Sequence, residues 1–272
     1  MAVFNNVNKE DLKKLKGFSR EEPRNIYEVL RLKGKDASLK DVTFILYTSG
    51  KLLLQGKKEA VEKAVKMLEK LKMGKKAKGE QFRKETGWII GTDESLKGDT
   101  FGGLVVAGVK ADNKAREDLM ALGVADSKEL SDHEVLSLAE KIKKTAQCEV
   151  ISVYPEDYNQ HDGNVTKMLD NLHGDIAKYL HPGKHVVDKY PGCGVGDIQE
   201  EKAESKYVEV AAASILARAA ALSQLDSLSV QAGFRLPKGS THVKLALHEL
   251  KERKLDFKKF VKMDFKNVEE FI

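Results

Sequence analysis

The sequence has only two cysteines in 272 residues, Cys148 and Cys193, far apart and outside any CxxC pair. That excludes a cysteine-built zinc site and a disulfide framework. No apolar stretch reads as long enough to span a membrane, and the opening MAVFNNVNKEDLKK lacks the apolar core of a signal peptide. A cytoplasmic protein is the expectation. Low-complexity tracts and repeats at solenoid spacing are also missing, which leaves an ordinary folded chain.

Charge, by contrast, is abundant: 33% of residues are charged, around a hydrophobic share of 41% that is enough for a core. It is unevenly divided. Residues 1–86 carry 22 Lys+Arg against 12 Asp+Glu, a balance of +10, and the remainder carries 25 against 30, a balance of −5. A basic module suited to a polyanion, joined to an acidic module, is one reading; solvated Lys-rich helices are the other. Between them, KMGKKAKGEQFRKET (72–86) combines two glycines with many positive charges and reads as a linker. The expected organisation is a substrate-binding module over 1–72, a basic linker over 73–86 and a second domain over 87–272.

In the first module, VTFILY and LLLQ flank the turn Thr48-Ser49-Gly50-Lys51 and predict a hairpin. A helix with Val61, Val65, Met67 and Leu68 at helical spacing follows Gly56. This strand–SGK–strand–Gly–Lys–helix pattern resembles one half of the TATA-binding protein, a small α+β unit. Lys51, Lys57 and Lys58 would then meet phosphates without reading sequence. An ordinary α+β packing module fits the same residues.

The second module opens with WIIGTDESLKGDTFGGLVVAGV (88–109), two apolar strands with Asp93 and Glu94 at the inner end of the first. Alone, such a pair could cap a helix or bind Lys97. Further along, KHVVD ends a predicted strand in Asp188, and Glu204 stands just before the long, small-residue helix that contains AAASILAR. Strands and helices alternate after the opening hairpin, so a mixed sheet flanked by helices is expected. Four carboxylates at one end of a sheet repel unless hard cations sit among them. Such oxygen sets suit Mg²⁺ or Mn²⁺, and a pair of these ions can activate water against a phosphodiester.

GTDESLKGDTFGGLVVAGV, GVADSKELSD, VVDKY, AESKYVEVAAASILAR and LPKGS resemble, in order, the successive motifs of type 2 ribonucleases H. The attached N-terminal hairpin module is similar to that of the ribonuclease HIII branch. The resemblance implies a ribonuclease H-like α/β fold and an endonuclease, and a monomer is expected. Its reaction would be two-metal cleavage of the RNA strand of RNA/DNA hybrids, leaving 5′-phosphate and 3′-hydroxyl ends. It assigns Asp93, Glu94, Asp188 and Glu204 as catalytic metal ligands. Contact with the substrate falls to the loop Ser95-Leu96-Lys97-Gly98 and the turn residues Ser127 and Lys128, with Asp126 holding that turn. Leu96 departs from the Gly-Lys-Gly common in this branch, which puts the contact of its peptide with the ribose 2′-hydroxyl in question. A ribonuclease HII-type enzyme cutting at single ribonucleotides, or a non-catalytic hybrid-binding protein, are the alternatives. His173 reads as an ordinary helix residue, Trp88 and Tyr154 as core, Asp99 as a turn acid and Cys193 as an inert turn thiol. The C-terminal KLALHELKERKLDFKKFVKMDFKNVEEFI reads as short amphipathic helices without assignable chemistry.

Overall fold

A computed structural model describes residues 2–24, 28–37, 39–48, 50–76, 82–83, 85–124, 130–161 and 163–272. The chain divides into two compact units, Met1–Gly79 and Glu80–Ile272, a division that falls within the basic stretch 73–86.

The first unit contains β1 (Ala2–Asn5), α1 (Lys9–Lys13), β2 (Phe18–Glu21), β3 (Glu28–Gly34), β4 (Val42–Tyr47), β5 (Leu52–Gly56), α2 (Lys58–Lys70) and β6 (Lys75–Lys76). The strands form one antiparallel sheet in the order β2-β3-β4-β5-β1-β6. Period-2 alternation puts Leu32, Phe44, Leu54 and Phe4 on one face, which Val61, Ala64 and Leu68 of α2 cover. The other face presents the cross-strand row Ser19, Lys33, Thr43 and Gln55 beside Glu21, Arg31, Ile45 and Leu53. Lys51 closes the β4–β5 hairpin through its carbonyl, 2.9 Å from the Tyr47 N–H. Lys57 is exposed and pairs at 3.0 Å with Asp41. The 73–86 stretch is not a plain tether: Lys75 and Lys76 pair with Asn5 and Phe4 of β1. Residues 77–81 and 84 lie outside the described residues.

The second unit carries β7 (Ile89–Ser95), β8 (Leu104–Ala111), α3 (Asn113–Ala121), α4 (Asp132–Thr145), β9 (Gln147–Val153), α5 (Pro155–Tyr158) and α6 (Val165–Leu180). After these come β10 (Lys184–Asp188), β11 (Ile198–Glu200), α7 (Val208–Ala232), α8 (Lys244–Glu252) and α9 (Lys266–Glu269). Its sheet is mixed, in the order β11-β10-β7-β8-β9: β7, β8 and β9 run antiparallel, whereas β10 is parallel to both β7 and β11. The capping box of Ser131 and Glu134 starts α4. α7 and α4 cover one face through Val105, Ala107 and Val109, and α6 covers the other through Ile90, Val106 and Ile176.

Two features set the position of α7. Its alanines let it lie close, and Gly91 lets β7 receive it: a Cβ there would fall 2.4 Å from the Val210 nitrogen. α7 is, by length and composition, apolar enough to cross a membrane, contrary to the expectation that no such stretch exists, yet it is mostly buried in this unit as the core helix. Trp88 and Tyr154 also depart from expectation, at 44% and 37% exposed. Each lies one residue outside a strand, before β7 and after β9, and so escapes the buried alternation. The Trp88 ring instead receives Lys110 Nζ at 4.8 Å.

Candidate active site

β7 carries Asp93 and Glu94 in succession, and strand alternation sends them to opposite faces. Asp93 points to α7, where it is hydrogen-bonded with Ser214, and its Oδ1 accepts from the Glu94 N–H at 2.8 Å. Glu94 points to α6, with Oε2 at 3.5 Å from His173 Nε2 and Oε1 at 3.2 Å from Lys97 Nζ. Asp188 ends the neighbouring parallel strand β10 and accepts from the Ala203 N–H at 2.9 Å. That bond draws the 3₁₀ turn Ala203–Ser205, and Glu204 with it, to the end of the sheet. Despite their opposed faces, Asp93, Glu94, Asp188 and Glu204 line one cleft of about 230 Å³, together with Ser95, Ser214 and Arg218.

The electrostatics follow from this crowding. Burial, and after it the charges of Glu94 and Asp188, push the Asp93 carboxyl well above the usual carboxylate range. Burial also raises Glu94, but His173 and Lys97 outweigh it and hold that carboxyl below its ordinary value. Among the described residues no three His, Cys, Asp or Glu side chains are already arranged around one ion. The reason is visible in the bonds above: Asp93, Glu94 and Asp188 are turned onto protein donors. The donor set still fits hard divalent cations, since four carboxylates share the cleft and Arg218 and Lys97 are the basic groups beside them. Arg218 is itself engaged with the Leu130 carbonyl at 3.0 Å and Asp132 at 3.1 Å. A larger cleft of about 390 Å³ between α4, β9 and α7 lacks this chemistry, because its carboxylate, Glu140, is paired with Lys143.

His173 is more than the helix residue the sequence suggested. It is fully buried, with Nδ1 at 2.8 Å from Thr92 Oγ1, and Thr92 Oγ1 is 2.8 Å from His185 Nε2. Burial first, then the nearby His173, pulls His185 down to about 4, so it is neutral near pH 7. The chain of polar groups from His185 through Thr92 to His173 thus ends with the His173 Nε2 facing the Glu94 carboxylate of the cleft.

The loop after β7 turns at Leu96. That residue has φ of 68°, in the left-handed region a glycine adopts freely, and its side chain is buried beside Gly102. Leu96 thus combines the backbone conformation of a glycine with a side chain that fills the space beneath the loop. Lys97 also lies 4.6 Å over the Tyr190 ring, and Gly98 is exposed, with no atom within 4 Å of where a Cβ would stand. Asp99 accepts from the Gly239 N–H at 2.7 Å. Asp126, Ser127 and Lys128 lie outside the described residues. Sequence reasoning missed Ser214 and Arg218, although they stand out as the polar residues of an otherwise apolar run over 210–222, one helical turn apart.

The sequence model of the Ribonuclease HII family matches residues 90–268. The chain belongs to the Ribonuclease HII family. Among relatives of the family, Ribonuclease HIII of Chlamydia caviae is 34% identical over 74% of this chain and 73% of its own length. Ribonuclease HIII of Mycoplasma pneumoniae is 33% identical over 68% of this chain and 94% of its own. The solved structure of Bst-RNase HIII in complex with Mn²⁺ superposes with a TM-score of 0.62 at 26% identity, covering 99% of this chain and 97% of that one. The fold is therefore the ribonuclease H-like α/β sheet of this family, with an additional N-terminal α+β unit.

Proposed function

We propose that the chain is an endonuclease that hydrolyses the RNA strand of RNA/DNA hybrids, acting as a cytoplasmic monomer. The observation that carries this is the four-carboxylate cleft beside the loop 95–98 in a member of this family. Asp93, Glu94, Asp188 and Glu204 would hold two divalent cations, a role supported by the donor chemistry and by the Mn²⁺ in the related Bst-RNase HIII structure. Mg²⁺ or Mn²⁺ bound there supplies Lewis-acid activation of a water and neutralises charge at the phosphodiester. Water oxygen joins phosphorus and the bond to the 3′-oxygen breaks, giving 5′-phosphate and 3′-hydroxyl ends.

The protein's own groups set the geometry. Ser214 and the Glu94 N–H fix the Asp93 carboxylate, and the Ala203 N–H fixes Asp188. His173 and Lys97 keep Glu94 ionised. The exposed Gly98 leaves room for close approach of a strand, and the peptides of Leu96 to Gly98 would meet the ribose 2′-hydroxyl, the group that distinguishes RNA from DNA. Ser95 lines the cleft, and Ser127 and Lys128 would contact backbone phosphates. In the first unit, Lys51 and Lys57 and the polar sheet face supply contacts to a polyanion. Replacing both lysines with alanine should weaken hybrid binding and flatten its salt dependence.

The decisive assay offers the protein, with Mg²⁺ or Mn²⁺, four substrates: hybrid, double-stranded RNA, double-stranded DNA, and duplex DNA carrying one ribonucleotide. Cleavage confined to the hybrid is expected. Efficient cutting at the lone ribonucleotide would move the assignment to a ribonuclease HII-type specificity, and no cutting of any substrate would refute it.

A further inference from the structure

The C-terminal segment, whose residues suggested no chemistry, reaches back to the loop after β7. Lys262 is fully buried, and its Nζ donates to the carbonyls of Leu96 at 2.7 Å, Asp99 at 2.6 Å and Gly102 at 3.1 Å. An ammonium has three protons to give, and here three convergent carbonyls take them. The rings of Tyr158 and Phe265 flank the charge at 5.4 and 5.2 Å. The same segment holds the loop at further points. The Lys262 N–H donates to Thr100 O at 3.1 Å, and Gly102 N–H donates to Phe260 O at 3.0 Å. Asn267 Nδ2 donates to Thr100 Oγ1 at 2.8 Å.

A buried lysine is costly unless its charge has dedicated partners. This one spends its charge on the backbone of a single loop, and one of the bonds falls on Leu96, whose left-handed φ needs outside support. We propose that Lys262 is a positioning residue for substrate recognition: it holds the peptides of residues 96–102 in the one shape that meets the RNA strand. The inference rests on the reading of residues 95–98 as the RNA-contacting loop, and it adds the group that fixes that loop.

The test compares wild type, Lys262→Met, Asn267→Ala and Gly98→Val. Each is measured for metal-free binding of a short hybrid and of double-stranded DNA, for kcat and KM on the hybrid with Mn²⁺, and for thermal unfolding. Lys262→Met should raise the hybrid Kd and KM about tenfold while DNA binding and kcat stay within about threefold. Asn267→Ala, at a half-buried position, should move the hybrid-to-DNA binding ratio in the same direction by less, and it decides the matter if Lys262→Met does not fold. A lysine with a merely structural role would lower the melting temperature and leave the binding ratio of the folded protein unchanged, and that result overturns the proposal. Gly98→Val separates the two levels. If it leaves the ratio unchanged, the loop does not read RNA, and the proposal falls with that reading. If it shifts the ratio but neither Lys262→Met nor Asn267→Ala does, the role of Lys262 alone is refuted.

Discussion

The pair of elements β7 and α7 carries two buried acidic sites built on opposite plans. In the first turn of α7, Glu209 is fully buried and bonded to Arg116, whose guanidinium also donates to the carbonyl of Gly87, to Glu85 O at 3.0 Å and to Asn113 Oδ1 at 2.8 Å. Burial pushes the Glu209 carboxyl up, and Arg116 pulls against it. At the other end of β7, burial pushes Asp93 up as well, but there the neighbouring charges of Glu94 and Asp188 push in the same direction. A carboxylate that serves the fold brings its cation with it. The cleft gathers like charges instead, which raises the energy of the folded chain and leaves the compensation to ions from solution.

If that contrast holds, substitutions at the two sites should part cleanly. The largest effect is expected for Asp93→Asn or Asp188→Asn: hybrid cleavage should fall about a thousandfold, with the melting temperature unchanged or raised, in paired single-turnover and thermal-unfolding measurements. Near-normal turnover in either variant would remove that residue from the metal-binding set. Arg116→Met should do the reverse. Leaving Glu209 buried without its cation should cost about 3 kcal/mol of stability in denaturant unfolding, while turnover per folded molecule is preserved. A stability loss from the cleft variants, or intact stability without Arg116, would erase the distinction.

A smaller effect belongs to His173, whose Nε2 faces Glu94 at 3.5 Å. His173→Gln should slow hybrid cleavage about tenfold and leave the fold in place, because it loosens the orientation of a ligand without removing one. Cleavage at the wild-type rate would show that Lys97 alone suffices to hold Glu94.

Much of this was legible in the residues, and what was not shares one cause. The β7–β8 hairpin, α6 and α7 follow from apolar periodicity, and Asp93, Glu94 and Asp188 stand at strand ends that the pattern marks. The first unit was legible only in its β4–β5 hairpin and α2; β1 and β2 are short, at four residues each, and β1 joins the sheet out of chain order, between β5 and β6. His173 and Lys262 act across separations of 79 and 166 residues, on Glu94 and Leu96. Local spacing carries no information about such pairings. Leu96 looked like a break in the loop pattern because sequence shows the missing glycine but not the contacts that hold a leucine at positive φ. Trp88 and Tyr154 were misjudged for a simpler reason: a strand's alternation stops at its last paired residue.

The central claim, that the cleft's surplus of negative charge is a cation site, is tested most directly by thermal unfolding of wild type and Asp93→Asn across a Mn²⁺ titration. Wild type should gain stability with Mn²⁺ in a saturable way, reaching about 2.7 kcal/mol at a hundredfold excess over Kd. Asp93→Asn should melt at least as high as wild type without metal and gain far less from it. An equal Mn²⁺-induced shift in the two proteins would place the ion elsewhere and contradict the account.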